Sequence, residues 1–394
     1  MSSSDPRPAA APSGDADVLI KLRRELHAHP ELSGKEAGTA ACLREFLLRC
    51  QPQRIIERLG GHGLAAVFAA PDAAGGPTLA LRAELDALPI QEHNPVPYAS
   101  RRTGVAHLCG HDGHMAMLCG LARSLRDSPL LRGRLVLLFQ AAEETGEGAS
   151  AVLADQRWQQ LQVDRIFALH NMPGHPLGEI LLRAGAVTAG SVGLVIRLQG
   201  RTAHAAYPEQ GLSPAMAMSR LVPGLVTLPI DLEAQGNLAL VTVVHASLGT
   251  VAFGTAPGKA EVMATLRSDD EAVLAELRRR AAALAVVEAD RDGLACELAW
   301  VEEFSVTQND PGAVEIARRA AQAADLPTAR PSESPFRWSE DLGRFTRVIP
   351  GALIGVGAGS EQPVLHAPDY DFPDALLPIG CRFYRALLAE LGMS

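Results

Sequence analysis

From about residue 187 to 298 the chain runs strand, helix, strand, strand, helix, and this block interrupts two stretches in which helices and strands simply alternate. Inside the block, apolar runs at 192–198, 238–245 and 260–268 read as strands, while 214–222 and 271–287 carry helical spacing. That order describes a small α+β two-layer sandwich with a core of its own. Before it, Leu19, Leu22 and Leu26, then Ala40, Leu43, Phe46 and Leu47 recur at three and four residues, and Pro30 divides them into two helices. Short runs at 64–69, 78–83 and 134–139 read as strands, with a helix at 115–125. After the block come a helix at 312–324, a strand at 351–356 and a helix at 376–391. The pattern predicts an α/β domain, a central mixed sheet flanked by helices, split by the inserted sandwich. The expected boundaries are a disordered tail over 1–17, a first segment over 18–186, the insert over 187–299 and a second segment over 300–394, with hinges near 186–191 and 298–302.

With 394 residues, 47% of them hydrophobic and 21% charged, the chain has enough apolar surface for the cores of two domains. A net charge of -9 provides no basic stripe for a phosphate backbone, so nucleic acid is not an expected partner. No apolar run reaches the roughly 18 residues a membrane span needs, and membrane partners are likewise not expected. The six cysteines lack the close spacing of a disulfide framework, and the opening residues lack a basic start followed by an apolar core. Reduced thiols and a cytoplasmic location are the expectation.

Four short segments carry chemistry. In the first, His107-Leu108-Cys109-Gly110-His111-Asp112-Gly113-His114, a thiol and imidazoles lie two residues apart ahead of a helix, so that Cys109 and His111 can grip one metal ion from one loop. The second runs an apolar strand into Glu143-Glu144 and a Gly-rich turn, which puts adjacent carboxylates at a strand's carboxyl end; one can bind metal while its neighbour takes a proton. The third and fourth end apolar stretches in His170 and His366. Taken singly, each also fits a bland reading: a helix-entry turn, a solvated acidic turn, a structural histidine. Their common placement at strand ends is what brings Cys, His, Glu, His and His to one edge of one sheet.

These segments, together with 24–33 (RELHAHPELS) and 81–90 (LRAELDALPI), resemble the aminoacylase and carboxypeptidase metallohydrolase family, and most nearly its hippurate hydrolases, N-acetyl-diaminopimelate deacetylases and plant auxin-conjugate amidohydrolases. The resemblance runs in order from about Leu22 to Leu391. It implies two divalent ions, zinc or manganese with cobalt or nickel as other choices, held by Cys109, His111, Glu144, His170 and His366, with Cys109 bridging. Glu143 is then the general base, and Asp86 the aspartate that orients His111. His204, in the segment 200–208 of the insert, is the expected lid histidine that polarises the scissile carbonyl. Arg267 is the expected partner of the substrate carboxylate.

The implied reaction is hydrolysis of the amide bond of an N-acyl amino acid by metal-activated water. A metallo-dipeptidase or carboxypeptidase acting on short peptides is the alternative, and a non-catalytic ligand-binding relative is a third. A homo-oligomer, dimer or tetramer, is the expected assembly. Two departures stand out: Glu84 occupies a position where relatives have aspartate, and 254–257 reads GTAP where relatives show Asn-Val-Ile-Pro.

Overall fold

The computed structural model describes residues 13–71, 73–233, 236–330, 332 and 334–394. The expected tail lies outside the described residues up to position 12, and the first helix, Ser13–Ala28, already includes the tail's last five positions.

Among the described residues the strands are β1 (Arg54–Leu59), β2 (Gly63–Ala69), β3 (Thr78–Glu84), β4 (Arg134–Gln140), β5 (Arg165–Pro173), β6 (Ile180–Leu181), β7 (Gly185–Thr188), β8 (Gly190–Gln199), β9 (Ala203–His204), β10 (Ala239–Leu248), β11 (Thr255–Ala256), β12 (Lys259–Ser268), β13 (Ala295–Phe304), β14 (Thr307–Asn309) and β15 (Gly351–Gly359). Seven of them form a mixed sheet in the order β1-β2-β4-β3-β5-β15-β6. Its centre, β4-β3-β5-β15, is parallel, and β1, β2 and β6 run antiparallel to their neighbours. A parallel centre needs cover on both faces, and β3 and β4 are accordingly buried on both, β4 as a nearly unbroken apolar run and β3 with Arg82 and Glu84 enclosed on one face. One face is packed by helices Ser13–Ala28, His111–Ser124 and Leu376–Glu390, the other by the Trp158 and Phe345 region.

β3 and β5 are neighbours, yet the chain leaves β3 toward β4 and leaves β5 toward the opposite edge. The crevice outside the carboxyl ends of such a pair is where open α/β sheets bind ligands.

The second sheet is antiparallel, in the order β10-β12-β8-β13. β12 alternates in burial along its length, with Ala260, Val262, Ala264 and Leu266 inward, as a sheet covered on one face requires. The helix Glu271–Arg291 covers that face with Leu274, Leu277, Ala281, Ala285 and Ala289, and Asp270 caps its first turn by accepting from the backbone N–H of Ala272 and Val273. Two details differ from the sequence reading. Helix Ala215–Thr227 passes through Pro223 instead of ending before it, because its buried face continues from Leu221 to Leu225. Of residues 298–302, read as a hinge, 298–301 are ladder positions of β13 against β8, and Glu302, left-handed (φ 50°), falls in the register shift that follows.

Candidate metal centre

Cys109 and His111 lie between β3 and β4, at the entry to the helix His111–Ser124. Gly110 makes that entry with φ 92°, and a Cβ there would stand 2.6 Å from the Asn171 side chain, so glycine is required twice over. Glu143 and Glu144 follow β4, and His170 is the sixth of the nine residues of β5. His366 follows β15, anchored by its backbone N–H to the Leu108 carbonyl at 2.9 Å, with φ 66°, a conformation uncommon for a residue with a side chain.

The donor atoms converge. Cys109, His111 and His170 form one group, Cys109, Glu144 and His366 a second, and His111, Glu143 and Glu144 a third, with the atoms of each group within 4.8 Å of one another. Cys109 Sγ is 3.6 Å from His170 Nε2; His111 Nε2 is 3.9 Å from carboxylate oxygens of both Glu143 and Glu144, and His366 Nε2 is 4.0 Å from Glu144. Donors of one tetrahedral zinc stand about 3.3–3.8 Å apart, given bonds of about 2.0–2.3 Å. His111 Nε2 and Glu144 Oε1 are buried and have no hydrogen-bond partner, while His111 Nδ1 is engaged by a backbone oxygen. An imidazole with one nitrogen braced and the other facing carboxylates and a thiol is oriented as a ligand. Burial, then Glu144 and Glu143, push the Cys109 thiol up; burial, then Glu340, raise Glu143, and burial, then Asp86, raise Glu144. Burial and His114 bring His170 down to about 4, which favours the neutral imidazole that binds metal, while His366, half-exposed, is lowered more mildly by its surroundings and His111. Crowded acids with unpaired oxygens and neutral imidazoles fit divalent cations, whose charge reverses the upward push on the acids.

Asp86 is close by, but its contacts differ from the expected ones. The group on His111 Nδ1 is the Asp86 backbone oxygen at 2.9 Å, while its carboxylate is 3.8 Å away. That carboxylate accepts instead from Ser33 Oγ at 2.7 Å and from the backbone N–H of Glu144 at 2.9 Å, and so it fixes the acidic turn.

Around the cluster is a network that the sequence reading missed. Arg82, fully buried in β3, bonds Glu84 and Asp341, lies 3.0 Å from Glu340 and donates to Gln140 Oε1 at 3.1 Å. Asp341 also accepts from Gln140 and the Ala149 N–H, and its own N–H points at Glu143 at 3.4 Å. Glu84, the departure from aspartate, spans Arg82 and His114 Nδ1 at 2.7 Å; the other nitrogen of His114 meets Asn171. Charged Arg82 and Glu84 on one face of an otherwise apolar strand were the signal available in the sequence.

Residues 80–390 match the family model described as Peptidase family M20/M25/M40. This chain belongs to that family. It is a hydrolase of amide bonds whose donor set suits metal ions. The M20-family chain is 32% identical over 352 residues to an N-acetyl-L-cysteine deacetylase of Bacillus subtilis, covering 88% of this chain and 82% of the relative. It is 29% identical over 355 residues to thermostable carboxypeptidase 1 of Saccharolobus solfataricus, covering 88% and 87%. Among solved structures it is similar to a dinuclear metal-binding M20 peptidase of Bacillus subtilis, with a TM-score of 0.78 and 28% identity over 97% of this chain and 99% of that one.

Two expected site residues of this M20-family chain are not part of the cluster. His204, on β9, is exposed; its Nδ1 accepts from the Ala206 N–H and its strand pairs with Thr255-Ala256, the departing GTAP stretch. Arg267, half-buried on β12, donates to Ser339 Oγ at 2.8 Å and to the Arg337 carbonyl at 3.2 Å. It therefore braces the segment whose Trp338 ring lies 5.1 Å from that of His170.

Proposed function

We propose that this chain removes the acyl group of N-acyl amino acids, releasing a carboxylic acid and a free amino acid. The observation that carries the reading is the convergence of Cys109, His111, Glu144, His170 and His366 on one crevice with buried His111 Nε2 and Glu144 Oε1 unpartnered. In this reading those five side chains would hold two divalent ions. The thiolate and imidazoles favour zinc, and the carboxylate and imidazole donors accept manganese, cobalt or nickel. When bound, such ions polarise a carbonyl and lower the pKa of water.

Glu143 is left over from that ligand set and faces it. Its carboxylate takes the proton of the attacking water and returns it to the departing amine nitrogen, which is otherwise too basic to leave. Asp341 N–H holds one Glu143 oxygen, and Asp86 holds the backbone of Glu144, so base and ligand keep their spacing. The oxyanion role of His204 requires the sheet that bears it to close over the cluster. The reading includes a homo-oligomer in a reducing cytosol; exposed Val251 and Phe253 on the loop after β10 and six free cysteines support it.

The experiment is metal analysis joined to a screen of N-acyl amino acids and dipeptides, with and without chelator. Chelator-sensitive release of free amino acid from N-acyl substrates is expected. Turnover of dipeptides alone would establish the short-peptide reading, which the resemblance to a carboxypeptidase keeps as the second choice.

A further inference from the structure

Next to His170 a cavity of about 150 Å³ opens into the molecule, and no group assigned so far uses it. Its walls are Met172 of β5, Leu181 of β6, Val187 of β7, Leu353 of β15 and the aromatic pair Phe336 and Trp338. Phe336 and Trp338 stack with ring centroids 5.4 Å apart, and Trp338 in turn lies against His170, so one wall of the cavity is also a neighbour of the candidate metal centre. The floor is closed at Gly355, where even a Cβ would stand 2.9 Å from Met172 and 3.0 Å from Leu181. An apolar cavity of roughly this volume accommodates a benzene ring and stays dry when empty. Its apolar walls therefore fit a branched aliphatic or single-ring group and leave a longer one without room, while the polar lining groups His175, Ser332, Arg183 and Arg330 belong to the same cavity.

The rim is of opposite character. Arg183 and Arg330 stand there. Arg183 is occupied, donating from Nε to the Ala186 carbonyl at 2.6 Å and from its guanidinium to Ser332. Arg330 is exposed, and among the described residues no hydrogen bond or ion pair engages it. In an N-acyl amino acid the side chain and the carboxylate branch from the same carbon atom, so an apolar cavity behind a cationic rim matches that carbon's two substituents. The acyl half carries no such pair.

Resting on the deacylase reading, we infer that this cavity receives the side chain of the amino-acid half, selects branched aliphatic and single-ring side chains, and places the α-carboxylate at Arg330. Arg267, donating from one guanidinium nitrogen to Ser339 and Arg337, braces the aromatic wall.

The test uses the metal-loaded enzyme and two substrate series. In the first the acyl group is held as acetyl and the amino acid runs through glycine, alanine, leucine, phenylalanine and glutamate; in the second leucine is held and the acyl group runs from acetyl to butyryl to benzoyl. kcat/KM is expected to rise at least about 10-fold from alanine to leucine and phenylalanine, to fall for glutamate, and to vary less across the acyl series. Leu181→Phe should cut the ratio of phenylalanine to alanine turnover at least about 10-fold by filling the cavity. Arg330→Gln, a surface change with no packing to lose, should lower the preference for N-acetyl-leucine over N-acetyl-leucinamide by a similar factor. Indifference to the side chain combined with strong dependence on acyl size overturns the assignment while leaving the deacylase reading intact. No turnover of any member by metal-loaded enzyme removes that reading and the subsite with it.

Discussion

Exchanging Glu143 for Gln keeps the shape of the side chain and takes away its ability to accept a proton. Because Glu143 is outside the five-residue ligand set, Glu143→Gln is expected to retain wild-type metal content by elemental analysis while kcat falls at least about 10²-fold. A variant with full metal and near-normal turnover would remove Glu143 from the mechanism. Arg82 poses the opposite kind of test. It compensates Glu84 and Glu340, both held below the usual carboxylate range beside it and both buried, so Arg82→Met leaves buried charge without a partner. A loss of about 3–5 kcal/mol in urea unfolding is expected, and a loss under about 1 kcal/mol would mean that these acids are neutral in the folded protein. The two residues differ in how they could be read. Glu143, like Cys109 and His111, sits in a short run of chemically unusual neighbours, and such runs are visible in a sequence. Arg82 finds Asp341 259 positions away, and nothing local to either residue announces the pair. Asp86 lies between these cases: its carboxylate was legible, but not that its backbone oxygen would be the group to meet His111.

At the scale of single elements, the helix entry at Gly110 sets the ligand geometry. His111 is the first residue of the helix His111–Ser124, so the direction of its imidazole depends on a left-handed turn one residue earlier. Gly110→Ala places a Cβ at that turn and against Asn171, with strain on the order of 1–3 kcal/mol. Reduced metal stoichiometry with near-native circular dichroism is the expected result, and full stoichiometry would show that the loop relaxes without moving His111. Strands and helices with a clean apolar period were legible: 260–268 was read within one residue of β12, and 376–391 within one residue of Leu376–Glu390. β1 was not, because Arg54–Leu59 buries only Ile56 and Leu59 and carries charge between them. β13 was not, because its edge position leaves most of its residues at least partly exposed. What those elements lack is a buried face, which is the only thing periodicity reports.

At the scale of the molecule, the five proposed ligands come from both sides of the inserted sheet: Cys109, His111, Glu144 and His170 precede β8, and His366 follows β13. Bound ions would therefore tie the chain's two outer segments to each other across the end of the seven-stranded sheet, while the four-stranded sheet contributes no ligand. Removing them should loosen one sheet and spare the other. A ligand held at about 1,000 times its Kd stabilises the folded state by about 4 kcal/mol, so chelation is expected to lower the midpoint of thermal unfolding by at least about 5 °C. A Cys109→Ser, His366→Ala double variant, which has lost the thiol ligand and the one from the distal segment, should melt lower at the outset and respond less to chelator. Hydrogen exchange resolves where the change occurs: on chelation, amides at the carboxyl ends of β3, β4, β5 and β15 should exchange faster, and those of β8 and β12 should keep their protection. Equal loss of protection in both sheets would mean that the ions stabilise the molecule through contacts between the two bodies and not by joining the outer segments, and an absence of any change would mean that these side chains hold no metal in solution.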